Sequence, residues 1–270
     1  MNQNTAKGVA LVTGASSGIG AVYADRLAHR GYDLLLVARD GKRLDQLAAH
    51  IRQQTGRNAE TLVADLTDRA DARKLAARIA ADKSISLLVN NAGVGATASM
   101  VDSDPDSLEA MIELNVTALT RLSHAAAVRF AAEGRGAIIN IASVVALAPS
   151  LLNGTYSGTK AFVVNLTQSL HNELGPRGVK LQAVLPGATR TEFWNRAGTP
   201  VEHLPEQIVM SAEELVDAAL AGFDQGELIT IPSLPDAKDW EALDAARAKL
   251  SPNLSHVHPA TRYGIGAKAA

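Results

Sequence analysis

The chain has 270 residues, of which 47% are hydrophobic and 20% charged, with a formal net charge of −2. That length suffices for one large core, and the near-neutral balance leaves no electrostatic footprint for nucleic acid or an anionic membrane surface. With no cysteine, disulfides, thiolate chemistry and Cys-ligated metals are excluded. The apolar run from Ala137 to Ala148 is interrupted by Asn140 and Ser143, and Val9–Val12 is too short for a signal-peptide core. A cytoplasmic protein that does not enter membranes is the expectation.

In chain order, short apolar runs alternate with longer amphipathic stretches. Val9–Val12, Leu34–Val37, Thr61–Ala64, Leu87–Val89 and Ala137–Ile141 read as buried strands, and Leu181–Leu185 and Leu228–Ile231 as two later ones. Helices are expected from about Gly20 to Arg30 and over Leu44–Gln54, Arg69–Ala81, Ser107–Ala132, Tyr156–Gly175 and Asp236–Leu250. This alternation predicts an α/β fold: a doubly wound, mainly parallel sheet of about seven strands with helices on both faces. One domain over residues 1–250 is expected, with 188–210 as a lid insertion and 251–270 as a tail.

The first strand runs into Gly14-Ala15-Ser16-Ser17-Gly18-Ile19-Gly20 and then a helix. Glycines at that junction let the chain turn sharply and let a phosphate approach a helix N-terminus. The spacing is Gly-x-x-x-Gly-x-Gly rather than the more familiar Gly-x-Gly-x-x-Gly, and it points to a dinucleotide. At the end of the second strand, Arg39 is placed to pair with a 2′-phosphate and stack on adenine, which favours NADP(H) over NAD(H). Asp40 leaves the opposite choice open, since a carboxylate there can bind a free ribose hydroxyl. Asp65, with Leu66 beside it, is positioned for the adenine amino group or, alternatively, for a turn before Thr67-Asp68. Asn91, Ala92 and Gly93 follow the fourth strand at the edge where α/β ligands bind.

Tyr156 and Lys160 lie four apart on one helical face. A free phenol titrates near pH ~10, and bringing it to about 7 requires roughly 4 kcal/mol favouring the phenolate. An ammonium about 4 Å away supplies roughly that at an effective dielectric of ~20. Such a pair is expected to work as a general acid/base at neutral pH.

Taken together, Thr13–Gly20, Asn90–Gly93, Asn115, Ser143, Tyr156, Lys160 and Pro186-Gly187 resemble, in order and over residues 8 to 190, the short-chain dehydrogenase/reductase family. The resemblance implies a Rossmann-type fold and hydride transfer between a nicotinamide and a carbonyl/alcohol pair. It implies that Tyr156 protonates the substrate oxygen, Lys160 holds the nicotinamide ribose, and Ser143 hydrogen-bonds the same oxygen. It also implies that Asn115 anchors a water leading toward Lys160, and that Pro186, Gly187 and Thr189 border the nicotinamide. An asparagine inside the Ser107–Ala132 helix is unfavourable by propensity, so a kink or special contact is expected there. By the same resemblance the helices Ser107–Ala132 and Tyr156–Gly175 pack across subunits, giving a homodimer or homotetramer.

For the substrate, a small-molecule carbonyl or alcohol, the expected wall is Ser143, Val145, Leu147, Leu151, Leu152, Phe193 and Trp194, largely apolar. Packing of Phe193 and Trp194 onto the body is the competing role for those two. His256-Val257-His258 has metal-like spacing but no further ligand nearby, so no metal is expected. A protein that binds NADP(H) as a signal without turnover is the alternative function. Dehydration or epimerisation on the same scaffold is a third.

Overall fold

The computed structural model describes residues 7–265. Residues 1–6 of the expected domain and 266–270 of the expected tail lie outside the described residues. Two compact units are present, one through Pro232 and one from Ser233.

In the first unit seven parallel strands pair in the order β3-β2-β1-β4-β5-β6-β7. They are β1 (Val9–Thr13), β2 (Asp33–Ala38), β3 (Ala59–Val63), β4 (Ile85–Asn90), β5 (Gly136–Ile141), β6 (Val179–Val184) and β7 (Ile229–Thr230). Each expected strand is found within two residues of its bounds. Side chains alternate across the pleat, and both faces are covered, which is why these runs are apolar throughout. Ala10, Val12, Leu34, Leu36 and Val89 face one layer, formed by α1 (Gly18–His29), α2 (Gly41–Thr55) and α8 (Ala212–Gln225). Leu11, Leu35, Val37, Leu88 and Ile138 face the other, where α3 (Arg69–Ala81) and α5 (Leu119–Glu133) lie. The end of α6 (Gly154–Leu174) joins that second layer through Leu174.

The helix expected over Ser107–Ala132 is built from three pieces. α4 (Pro105–Ile112) leads into a π-helical turn over Glu113–Ala118 and then α5. The π-turn contains Asn115, so the propensity conflict at that residue is resolved by a local change of helical pitch. The short helix α7 (Phe193–Ala197) interrupts the stretch 188–210, and an isolated bridge pairs Thr189 with Met210. α8 has no counterpart among the expected elements. Its start is nevertheless marked by a capping box: Ser211 Oγ accepts from the Glu214 N–H at 3.1 Å and donates to Glu214 Oε2 at 2.7 Å.

The second unit holds α9 (Ala237–Ala248), N-capped by Asp236, and single helical turns at Ser251–Asn253 and Thr261–Tyr263. The break at residues 232 and 233 comes before this helix, whereas a boundary at 250 was expected. None of the described residues in this unit is buried. No helix among the described residues is long and apolar enough to cross a membrane.

Candidate active site

β1 and β4 are neighbours in the sheet although β2 and β3 lie between them in sequence, so their carboxyl ends open a crevice. Gly14 and Gly18 there have φ of +66° and +54°. These values favour glycine. A Cβ on Gly20 would overlap the Gly14 carbonyl and the Asn91 amide. Asn91 Nδ2 donates to the carbonyls of Thr13 at 2.9 Å and Gly14 at 3.2 Å. In return, Thr13 Oγ1 accepts from the N–H groups of Asn91 and Ala92 at 3.0 Å each. The two loops flanking the crevice are thereby bolted to each other. Ser17 caps α1 with no side-chain capping bond, and the first turn carries no acidic residue. The helix N-terminus thus presents N–H groups and positive dipole without an internal anion, which fits a pyrophosphate. Ser16 is half-buried beside it, while Ile19 packs inward on the core.

Past β2, the Arg39 side chain is 66% exposed, with its Nη1 3.9 Å from Asp65 Oδ2. Asp40 is engaged as the N-cap of α2, accepting from the Arg43 N–H at 3.0 Å. Asp65 Oδ1 accepts from the Thr67 N–H at 3.0 Å and its hydroxyl at 2.7 Å, so the turn role and an Arg39-facing oxygen coexist in one carboxylate. The Leu66 side chain is buried in the core, leaving its backbone as the part available to a ligand.

At the next crevice wall, Asn153 Oδ1 accepts from the N–H groups of Thr155 at 2.9 Å and Tyr156 at 3.3 Å. Its amide reaches back to Ala98 O at 2.8 Å and Ser103 Oγ at 3.2 Å. This cap sets Tyr156 in the first turn of α6, a positioning role absent from the expected set. Asn immediately before Gly154-Thr155 is the signal that marks it. Tyr156 and Lys160 are both buried, 6% and 5% exposed. Lys160 Nζ donates to the Ile141 carbonyl at 2.9 Å and lies 5.8 Å from the Tyr156 ring centroid.

Burial pushes the Tyr156 phenol up to about 12, opposed by the polar Ser143 hydroxyl nearby. Burial likewise pushes the Lys160 ammonium down to about 8. The expected descent of the phenol toward 7 is therefore corrected: its proton affinity rises instead. Desolvation, which disfavours both charged forms, outweighs the Coulomb attraction that helical spacing provides. Ser143 Oγ also lies 3.4 Å from the Pro186 carbonyl, which accepts from the Val144 N–H at 3.0 Å. Thr189 Oγ1 turns to the Gly187 carbonyl at 3.1 Å.

Asn115 is buried, and its side chain braces protein. Oδ1 accepts from the Val94 N–H at 3.0 Å, while Nδ2 donates to Val94 O at 2.8 Å and Thr159 Oγ1 at 3.1 Å. A Cβ on Gly93 would sit 3.2 Å from Asn115 Oδ1 and 3.4 Å from Lys160 Nζ. Gly93, Asn115 and Lys160 are thus brought together, and glycine is what permits it.

Beside Tyr156 an apolar cluster joins Met111 and Val145, with Val94, Ala96, Leu108, Leu152 and Phe193 packed against it. The Phe193 ring lies 5.7 Å from that of Tyr156 and occupies the notch left by Gly95, where a Cβ would overlap it. Trp194 packs edge-on to Phe193, and its Nε1 donates to Thr189 O at 3.0 Å, so it anchors α7 to the body. Of the leucines expected on the wall, Leu152 makes the contact, whereas Leu147 and Leu151 are 39% and 61% exposed. Leu108 and Met111 are missing from the expected wall. Their i, i+3 spacing behind Pro105 was the available signal, but nothing local says which body that face meets.

The family model for short chain dehydrogenase matches residues 8–201, and the chain belongs to that family of oxidoreductases. A short-chain dehydrogenase of Sphingobium yanoikuyae, solved in complex with NADPH, is 52% identical. It superposes with a TM-score of 0.92 over 95% of this chain and 99% of the other. The bulky-bulky ketone specific alcohol dehydrogenase of Comamonas testosteroni is 48% identical with a TM-score of 0.89, covering 96% and 99%. Human 17-beta-hydroxysteroid dehydrogenase type 3 is 31% identical over 78% of this chain and 66% of its own length.

Proposed function

We propose that the protein reduces a large, mostly apolar ketone, or oxidises the matching secondary alcohol, using NADP(H) in preference to NAD(H), with Tyr156 as general acid/base. The observation that carries this is the juxtaposition of buried Tyr156, Ser143 and Lys160 with the apolar cluster of Met111, Val145, Leu152 and Phe193. The bulky ketones and steroid named for two of its relatives are consistent with a wall of that size and chemistry.

The cofactor supplies the hydride when bound. Gly14, Ser16, Ser17, Gly18, Ile19 and Gly20, with Asn91, Ala92 and Gly93 behind them, would hold its pyrophosphate and central part. Arg39, Asp65 and the Leu66 backbone would hold the adenosine end, and Pro186, Gly187 and Thr189 the nicotinamide end. Arg39 is exposed enough to meet a 2′-phosphate, and the use of one Asp40 oxygen as a helix cap supports that reading over a carboxylate given wholly to a ribose hydroxyl.

During reduction the Tyr156 hydroxyl gives its proton to the carbonyl oxygen as that oxygen gains negative charge, and Ser143 donates a hydrogen bond to the same atom. Lys160 then faces the phenolate that remains. An ammonium with a depressed pKa is suited to passing a proton inward, and Asn115 holds the adjoining backbone still. In the oxidative direction the same phenolate takes the proton. Self-association through α5 and α6 belongs to the same proposal, supported by exposed Val128 and Phe162 on those helices.

Absorbance at 340 nm over a panel of diaryl ketones, steroids, small ketones and sugars, each with NADPH and NADH, tests it. Turnover of bulky ketones with NADPH is the expected result. Tight NADPH binding with no substrate turned over would favour a signalling role.

A further inference from the structure

The segment 191–199 is fastened along two edges by different chemistry. On the substrate side the fastening is part-buried and partly backbone-mediated. Thr97 donates to the Ala197 carbonyl through both N–H (3.0 Å) and Oγ1 (2.9 Å), and Thr199 Oγ1 donates to Thr97 Oγ1 at 3.0 Å. Phe193 fills the Gly95 notch. On the cofactor side, Thr191 lies directly over the glycine-rich turn: a Cβ on Gly18 would be 3.1 Å from its methyl group. The next residue, Glu192, receives Arg43 Nη1 at 2.8 Å on both oxygens, although 149 positions separate the two in sequence. Arg196 Nη2 donates to Glu192 Oε2 at 2.6 Å and holds the carboxylate in place from within α7. Arg43 in turn sits in the first turn of α2, a helix capped by Asp40 next to Arg39.

We propose that Arg43 and Glu192 form a strap across the mouth of the cofactor cleft, and that its opening gates cofactor entry and release. A dinucleotide lying along the glycine-rich turn toward Arg39 has Thr191 and Glu192 above it, so it passes that edge to leave. The substrate-side edge is the firmer one, because its bonds are part-buried, one of them runs backbone to backbone, and the Phe193 ring fills the Gly95 notch. The outer edge is held by a solvent-exposed ion pair, which opens readily and is screened by salt. The two side chains are positioning residues; neither touches the reacting atoms. This inference rests on the cofactor reading above.

NADPH association and dissociation, followed by stopped-flow fluorescence in the full-length protein, tests the strap in wild type, E192Q, R43Q and the double variant. Each single variant is expected to raise both rate constants about three- to fivefold, and the double variant no further. Wild-type dissociation should accelerate with salt while the variants respond less. In ligand-free protein, hydrogen exchange should increase in 191–197 for E192Q and R43Q alike. Unchanged rates in E192Q, or faster release in R43Q alone, would overturn the strap, the latter marking Arg43 as a direct phosphate contact. Wild type that binds no NADPH at all would remove the cofactor reading and the strap with it. The exchange data separate these outcomes, since they need no ligand.

Discussion

The two walls of the cleft are built differently. The cofactor wall, from Thr13 to Gly20 with Asn90 to Gly93, is a junction of strand ends whose loops exchange hydrogen bonds through Thr13 and Asn91. Deeper in the same wall, Asn90 Nδ2 reaches Ser123 Oγ and Asn140 Oδ1 at 2.9 Å each, carrying the polar ladder beneath the sheet edge. The substrate wall is a helical turn and a short helix held by one aromatic ring in a glycine notch, two threonines and surface ion pairs. Rigid geometry is required where a charged pyrophosphate must meet fixed N–H groups, because misaligned donors lose most of their value. An apolar substrate makes no such demand, because burying its surface requires no fixed donor geometry.

The largest expected effect lies at the seam between the walls. Tyr156→Phe removes the proton donor while keeping the ring that Phe193 packs on, so kcat should fall by about 10²–10⁴. NADPH affinity, a property of the other wall, should stay within about twofold of wild type by fluorescence titration.

Next comes the buried amine. The folded-state pKa of Lys160, about 8, lies below its ordinary value of 10.5, so between those pH values the unfolded chain binds more protons. Stability therefore rises with pH across that window. Urea unfolding should show wild type gaining about 2–3 kcal/mol from pH 8 to pH 10.5 relative to Lys160→Met. Tyr156, whose folded pKa is raised, acts in the opposite direction above pH 10, and a Tyr156→Phe background isolates the lysine. A flat difference would mean that water reaches the amine.

Removing the bolt of the rigid wall should cost about 1–3 kcal/mol, because Asn91→Ala orphans the Thr13 and Gly14 carbonyls it now satisfies. A lower urea midpoint and weaker NADPH binding together are expected. If only stability falls, the glycine turn keeps its shape unaided.

The smallest effect probes the soft wall. Leu152→Ala should raise KM for a bulky ketone several-fold, whereas Leu151→Ala, at an exposed position, should leave it within about twofold. Equal effects from both would show that the wall closes further around substrate.

The same contrast explains how much could be read from the chain. Every strand of the sheet was legible because a strand buried on both faces needs a continuous apolar run, a local signal. The glycine turn was legible because positive φ demands particular residues at particular spacings. α8 is marked in the sequence by Ser211 and Glu214 at capping spacing, a weaker signal than an apolar strand or a glycine turn. Leu151 and Leu152 were both legible as apolar wall candidates, but adjacent leucines in an irregular segment carry no periodicity to say that only Leu152 turns inward. The phenol's proton affinity was misjudged for a related reason: helical spacing reports how near a lysine stands, and burial depends on everything packed around the pair.

By itself, then, the sequence determined the alternation of strand and helix, the glycine-rich turn and the pairing of Tyr156 with Lys160 on one helical face, because each follows from contacts or dihedral demands within a few residues. Tertiary structure alone decided the burial of Tyr156 and Lys160, the bracing of Asn115 against Val94, and the meeting of Arg43 with Glu192. Those depend on groups tens to hundreds of residues apart, and desolvation and long-range pairing leave no mark on local spacing.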